Sequence, residues 1–333
     1  MYKKIKNLIN NKAVLTSIIC IIFGMLYILY SYSNIKMNNG FENIKYNIFF
    51  WLISISLFII IVSVIALILF KKELKIHILF ILLASIFGIY YLIVAPIQNG
   101  SDEVAHFYRV FEVATGHLKT STNDEGEYIE RNVPNSFVEI TNSEEKDYSI
   151  KIHDIKEKSL IELNKNENEN RKANTAASVY SPVVYLPQAI GFAIGMALEL
   201  KPLIILNIAR IFGFIVWMII SSYAIKIAPS KKEFFLLLAL LPTNITSAVT
   251  LSADTILNAF TLLLTTKILQ IVSTNQKLNR KDIMILIICG IIIGQCKMAY
   301  LPIVLMCLVI SKNKFENNKQ YYIANLAIIV LSF

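Results

Sequence analysis

The sequence has 333 residues, of which 56% are hydrophobic and 17% are charged, and its mean hydropathy is +0.58. Soluble domains carry about 25% charged residues, so this composition excludes an ordinary soluble protein. Several apolar runs reach the roughly 20 residues that a helix needs to cross a bilayer. The sequence therefore predicts an all-α, polytopic helical membrane protein, because only helices and closed barrels satisfy the backbone inside lipid.

The net charge of +9 is unevenly distributed along the chain. Residues 96–178 hold ten Lys and Arg against sixteen Asp and Glu, a local charge of −6, which leaves +15 for the other residues. Most of those positive charges stand in short clusters at the ends of apolar runs. This positive-inside pattern indicates a multi-pass membrane protein and excludes a nucleic-acid partner. The abundance of Ile, Lys and Asn is typical of an AT-rich bacterial genome, so we expect a bacterial plasma membrane.

Three apolar runs precede the acidic stretch. Residues 13–31 follow a lysine-rich start and lack a small-residue cleavage site, which predicts a cytoplasmic N-terminus and a retained anchor. Residues 47–70 return to a second lysine cluster, so residues 1–76 form two N-terminal transmembrane helices. Residues 77–95 then cross outward as the first core span. The stretch 96–178 is therefore predicted to be an extracytoplasmic loop.

That loop begins with a segment, 101–116, that has the period of an amphipathic helix. Asp102, His106 and Arg109 share one face of this helix. The opposite face is apolar and consists of Val104, Phe107, Tyr108 and Phe111. We expect the helix to lie along the membrane surface, with its rings toward lipid and its ionisable groups toward water. Ser101 suits the N-cap, and Gly116 suits the position just past the last turn.

Two interpretations of these ionisable groups stay open at this point. Carboxylates in a first helical turn complement the helix dipole without doing any chemistry. Their position, at the mouth of a membrane protein together with an imidazole and a guanidinium, favours a reactive site. The rest of the loop, 121–175, is rich in Asn, Glu, Lys and Ser. It predicts either a small ordered cap or a mobile segment, with a slight preference for mobility.

The segment 180–200 is predicted to dip into the membrane from the outer face without crossing. If it crossed, the next span, 203–226, would run outward and leave the lysines at its end outside, against the positive-inside rule. Two prolines and two glycines fit an interrupted, partly buried helix. These residues are Pro182, Pro187, Gly191 and Gly195.

The remaining runs, within 179–333, alternate in direction. The predicted spans are 203–226 inward, 233–250 outward with a break at Pro242, 255–272 inward, 282–297 outward and 301–311 inward. The sequence stops at Phe333 inside a further apolar run, so we expect either a clipped last span or a fragment of a longer protein. In this topology Asp254 and Lys297 both lie near the outer face, the same side as Asp102.

A charge inside an apolar segment is costly and by default signals function. Asp254 and Lys297 are the clearest cases, although they could simply neutralise each other between helices. Arg210 could pair with a carboxylate or hold a phosphate, because a guanidinium fork matches two oxygens. The spacing Glu103-x-x-His106 resembles a metal-ligand pair but has no second pair, so we expect no metal. No nucleotide-binding motif occurs, and we expect no cofactor.

Four blocks in this order resemble the signature of the DUF2142 family of bacterial membrane proteins. Residues 96–109 read PIQNGSDEVAHFYR, and residues 180–188 read YSPVVYLPQ. Residues 241–255 read LPTNITSAVTLSADT, and residues 294–302 read GQCKMAYLP. That family resembles the GT-C glycosyltransferases, which take sugars from polyprenyl-phosphate carriers outside the cytoplasm. In those enzymes the segment after the first outer loop is often a juxtamembrane helix, in agreement with the expectation for 180–200.

The resemblance implies a membrane glycosyltransferase that moves a sugar from a polyprenyl-phosphate donor to a cell-envelope glycan acceptor. It puts the catalytic base on Asp102, with Glu103 supporting it. The predicted substrate- and phosphate-binding residues are His106, Arg109, Tyr185, Gln188, Arg210, Asp254, Lys297 and Tyr300. Two alternatives remain: a transporter or flippase of a lipid-linked saccharide, and a non-catalytic assembly protein of the cell envelope.

Overall fold

The computed structural model describes residues 74–94, 97, 102–119, 130–141, 158–166, 168–172, 175–296 and 298–332. The predicted spans 13–31 and 47–70 lie outside these ranges, as do Ser101 and Lys297. The chain divides into two compact units, and the second comprises Ile76–Lys146 and Ile150–Phe333. Almost all described residues belong to that second unit, to which the following description applies.

The described part of the chain is mostly helical, which confirms the predicted fold class in its coarse form. The helices are α1 (Ile76–Val94), α2 (Glu103–Ala114), α3 (Asn135–Thr141), α4 (Thr175–Ser178), α5 (Leu186–Ala197), α6 (Pro202–Ile227), α7 (Lys232–Ala239), α8 (Pro242–Ala248), α9 (Asp254–Ser273), α10 (Arg280–Cys296), α11 (Leu301–Leu305) and α12 (Asn318–Ser332). Short 3-10 helices cover Pro182–Tyr185, Met298–Tyr300, Met306–Val309 and Lys312–Lys314.

Apolar runs and prolines account for most helix boundaries. Helices α1, α6 and α9 match the predicted spans 77–95, 203–226 and 255–272 to within one residue at each end. The predicted break at Pro242 is also confirmed, since α7 ends before it and α8 begins with it, as a proline in a first turn allows. Helices α6 and α9 are long and apolar enough to span a membrane, whereas the apolar stretches Ile76–Leu92 and Pro182–Ala197 are shorter.

The segment predicted as an interrupted helix consists of the 3-10 helix Pro182–Tyr185 followed directly by α5. Its glycines serve close packing rather than interruption. A Cβ atom on Gly191 would stand 2.9 Å from the carbonyl oxygen of Ile208 in α6, and one on Gly195 would stand 3.0 Å from Ile205. Helix α5 therefore lies tightly along α6, and larger residues at these two positions would separate the helices.

The described residues of the stretch 121–175 include a small folded cap, formed by two strands and a helix. Strands β1 (Glu130–Pro134) and β2 (Asn168–Lys172) form an antiparallel pair in which Glu130 faces Lys172 and Pro134 faces Asn168. Helix α3 follows β1 directly, and its Phe137 and Ile140 are fully buried. This two-stranded sheet is an addition to the predicted all-α class.

The expected surface position of the 101–116 helix is wrong. Helix α2 is buried along nearly its whole length, and both His106 and Arg109 are buried. Phe107 and Phe111 do not face lipid: their rings pack within 6.1 Å of the Phe192 ring in α5, and Phe107 also meets Phe137 at 5.8 Å. Phe107 therefore contacts both the cap and α5.

Contacts between helix ends define two ends of the unit. At one end, which we call the inner end, the Ser222 hydroxyl donates to the carbonyl of His77 at 3.2 Å, and Lys267 in α9 pairs with Asp282 in α10. At the other end, which we call the outer end, four segments meet. They are the start of α2, the first third of α6, the start of α9 and the end of α10.

Candidate functional site

Asp102 is the exposed member of the acidic doublet. It precedes the first turn of α2 with a left-handed backbone, φ 56° and ψ 20°, and its side chain caps no backbone N–H of that helix. Aspartate is one of the few residues that adopt this conformation at modest cost. The carbonyl of Asp102 accepts from the His106 N–H at 3.1 Å, which ties the residue to the helix. Its carboxylate is thus accessible, on a backbone held by the helix that follows.

Glu103, the next residue, is 2% exposed, and its carboxylate accepts several hydrogen bonds. The Arg210 guanidinium donates to it twice, from Nε at 2.8 Å and from Nη2 at 2.7 Å. The Leu251 N–H donates to the same carboxylate at 2.9 Å. Of the two roles predicted for Arg210, the structure shows the pairing with a carboxylate. This ion pair joins α2, α6 and the segment before α9, and breaking such a pair typically costs about 3–5 kcal/mol.

His106 and Tyr185 are hydrogen-bonded to each other one turn further along α2. The His106 Nδ1 atom and the Tyr185 hydroxyl are 2.7 Å apart, and the His106 ring stacks on the Tyr180 ring at 6.0 Å. Burial raises the pKa of the Tyr185 hydroxyl above its usual range, an effect that Cys296, Tyr180 and Asp254 reinforce and Arg109 opposes. The phenol therefore stays protonated, with Asp254 and Arg109 close enough to act on it electrostatically.

Arg109 fastens the end of α2 to its surroundings. Its Nη1 atom pairs with Glu112 at 3.0 Å, and its Nη2 atom donates to the carbonyl oxygens of Leu118 at 2.9 Å and Tyr180 at 3.4 Å. The helix closes as predicted at Gly116, whose φ of 87° favours glycine. The N–H of Gly116 donates to Val113 and that of His117 to Glu112, the pattern of a Schellman motif.

Gln188 connects α5 to the segment that leads into α9. It is fully buried, and its Nε2 amide donates to the carbonyls of Thr250 at 3.4 Å and Ser252 at 3.2 Å. The hydroxyl of Thr255 accepts from the same amide at 3.4 Å. The side chain lies so close to α6 that a Cβ on Gly213 would stand 2.9 Å from its Cγ atom. Gln188 therefore fixes the backbone just ahead of Asp254.

The fourth sequence block, residues 294–302, contacts the second and third blocks through the end of α10. Ser181 meets Gln295 twice, since its N–H donates to the Gln295 carbonyl at 3.3 Å and its hydroxyl donates to Gln295 Oε1 at 3.2 Å. The Cys296 thiol donates to the carbonyl of Ala253 at 4.0 Å. The start of α9 is held further by the Ser252 hydroxyl, which accepts from the Asp254 N–H at 3.1 Å. Segments from all four blocks of the sequence therefore converge at the outer end.

Most residues predicted for the site belong to this convergence. Glu103 and Arg210 contact each other, His106 and Tyr185 contact each other, and Arg109, Gln188 and Asp254 line the same region. Tyr300 ends the 3-10 helix Met298–Tyr300 and packs half-buried against the hydrophobic core. Lys297 lies outside the described residues.

Several contact residues were missed by the sequence reasoning, although all of them stand inside the four blocks. They are Tyr180, Ser181, Thr250, Ser252, Thr255 and Gln295. Their positions inside the blocks could have indicated a place in the site. Their side chains gave no further indication, because a neutral polar residue does not stand out in an apolar run as a charged one does. Within the described ranges, no three His, Cys, Asp or Glu side chains come together as a metal site would need.

A family model described as "Predicted membrane protein (DUF2142)" matches residues 80–333. This range contains every described element of the outer end. No curated protein and no solved structure matches the chain.

Proposed function

The chain belongs to the DUF2142 family of predicted membrane proteins, and we propose that it is a membrane glycosyltransferase of the GT-C kind. The proposed reaction moves a sugar from a polyprenyl-phosphate donor to a cell-envelope glycan acceptor on the extracytoplasmic face. The observation that carries the proposal is the contrast within the acidic doublet. Asp102 presents an exposed carboxylate, while its neighbour Glu103 is buried and bound by three donors.

A general base needs a carboxylate that can reach the acceptor hydroxyl. Asp102 meets this requirement, and we assign it the role of base. Glu103 is instead a positioning residue, because its ion pair with Arg210 holds the first turn of α2 against α6. In this proposal Asp102 takes the proton, and Glu103 holds the helix turn that follows Asp102.

The proposed transfer is an inverting displacement at the anomeric carbon. The acceptor oxygen forms a bond to that carbon while its proton passes to the Asp102 carboxylate. The bond between the carbon and the phosphate oxygen breaks, and the lipid phosphate leaves with the electron pair. Cationic groups stabilise that developing charge, as in other electrostatically assisted transfers. Lys297 is the residue proposed for this role, since Arg210 is held by Glu103 and Arg109 by Glu112 and two backbone carbonyls.

The test is an assay of the purified full chain with a panel of polyprenyl-phosphate sugars, scored by release of the lipid phosphate. We expect the wild type to release it from at least one donor in the presence of acceptor. Asp102→Asn should lower the rate by about 100-fold or more, the usual contribution of a general base. Glu139→Gln is the matched control, because Glu139 is an exposed carboxylate in the cap.

The two alternative functions predict other outcomes. A flippase would move a labelled lipid carrier between leaflets when reconstituted alone, without releasing phosphate. A non-catalytic assembly protein would tolerate Asp102→Asn in cells. Undiminished sugar incorporation in cells that carry only this variant would remove Asp102 as the base.

A further inference from the structure

A polar pocket lies at the inner end, where α9 turns into α10. It is lined by Lys267 and Gln270 of α9, by Asp282 in the first turn of α10, and by residues of the connection between the helices, among them Thr274, Lys277 and Asn279. Thirteen residues of α9 separate Lys267 from Asp254, which is about 20 Å along a helix axis. The pocket is therefore separate from the site proposed for sugar transfer.

Lys267 is the residue that gives this pocket its chemistry. It is 5% exposed, although it stands inside a helix apolar enough to span a membrane. Its Nζ atom contacts Asp282 Oδ1 at 2.5 Å and donates to Gln270 Oε1 at 3.0 Å. An ammonium group has three N–H donors, and the described residues supply acceptors for two of them. One donor of a buried cation thus remains for a ligand.

The single carboxylate of the pocket is already occupied. Asp282 Oδ1 takes the Lys267 ammonium, and Asp282 Oδ2 accepts from the Asn279 N–H at 3.0 Å. Lys277 adds a second positive charge at the exposed rim, so the lining carries two cations and one anion. The Lys314 ammonium donates to the carbonyl of Thr274 and brings a further cation to the same turn. The balance of charge and of free donors favours an anion.

We propose that this pocket binds a phosphate group, as carried by an anionic lipid headgroup of the adjacent leaflet. Phosphate oxygens accept hydrogen bonds from ammonium, amide and hydroxyl donors, all of which line the pocket. Basic pockets between membrane helices are suited to such headgroups. In the predicted topology this end faces the cytoplasm, where anionic lipids meet the lysine clusters of the chain. Inorganic phosphate would offer the same chemistry, and the experiment separates the two sources.

The test titrates the delipidated full chain in neutral detergent with dioctanoyl phosphatidylglycerol, dioctanoyl phosphatidylcholine and sodium phosphate, each at constant ionic strength. Binding is read from the rise in unfolding temperature with ligand concentration. Lys277→Gln removes a lining charge from an exposed residue. Lys281→Gln is the matched control, because it removes the same charge from the same end without lining the pocket. Lys267 itself is not substituted, because its loss would leave the Asp282 carboxylate without its cation.

We expect phosphatidylglycerol to bind more tightly than phosphatidylcholine, and Lys277→Gln to weaken that binding by about fivefold. Lys281→Gln should change it by less than twofold. If sodium phosphate binds as well as phosphatidylglycerol and shows the same loss in Lys277→Gln, the ligand is free phosphate in the same pocket. Equal binding of both lipids, or equal effects of both lysine variants, would overturn the proposal.

Discussion

The buried ion pairs at the two ends of the helical unit differ in how far they are shielded from solvent. At the outer end, Glu103 and Arg210 satisfy each other with two hydrogen bonds and exclude solvent from both side chains. At the inner end, Lys267 and Asp282 form a more exposed pair, in which the Asp282 side chain is 18% exposed. The first arrangement stabilises the helix that carries Asp102, and the second leaves a donor for a ligand. A charge inside an apolar segment thus indicates importance without saying whether the residue reacts, binds or holds the fold.

The largest expected difference between the ends concerns stability. Arg210→Met should lower the free energy of unfolding by about 3–5 kcal/mol, because it leaves the Glu103 carboxylate buried without its cation. Lys267→Met should cost roughly half as much, since Asp282 keeps contact with solvent and with Asn279. Both are measured by chemical unfolding in detergent. Equal losses would mean that the two pairs do not differ in the way their burial indicates.

A smaller effect is expected for the two glutamines that accompany these pairs. Gln188→Leu should cost about 1–3 kcal/mol, because the buried carbonyls of Thr250 and Ser252 both lose the Gln188 amide as a donor. Gln270→Leu should cost less than about 1 kcal/mol, since Gln270 is half-buried and accepts a single hydrogen bond from Lys267. The same unfolding measurement compares them. A larger loss of unfolding free energy in Gln270→Leu than in Gln188→Leu would contradict the expected difference between the two ends.

The smallest effect is expected at the end of α2. Gly116→Ala should cost about 1 kcal/mol through its φ of 87° alone, since a Cβ there would contact nothing within 4 Å. Gly116→Asn should recover part of that loss, because asparagine tolerates the left-handed region. Unfolding of the three proteins side by side provides the measurement. An alanine variant as stable as the wild type would show that this turn does not constrain α2.

The features that could be predicted are those that local sequence determines. Apolar run length defined α1, α6 and α9, Pro242 marked a break, and Gly116 marked a helix end. Each depends on residues within a few positions of the boundary itself. The four sequence blocks also contain nearly all the contacts of the outer end.

Long-range partners account for what could not be predicted. The amphipathic period of 101–116 shows two faces but does not say what covers them. Here His106 on the polar face meets Tyr185, 79 positions away, and the ring-bearing face meets Phe137 and Phe192. Gln188 was predicted as a ligand-binding residue, and its bonds to Thr250 and Ser252 span more than 60 positions. Such pairings appear only once the helices are packed.

The most direct measurement compares the two members of the acidic doublet in one assay of lipid-phosphate release. We expect Asp102→Asn to lower the rate by about 100-fold or more while the free energy of unfolding stays within about 0.5 kcal/mol of the wild type. Glu103→Gln should instead lower the free energy of unfolding by at least about 1 kcal/mol, because it weakens the bond to Arg210. A stable Asp102→Asn protein that releases lipid phosphate at the wild-type rate would contradict the sugar-transfer mechanism.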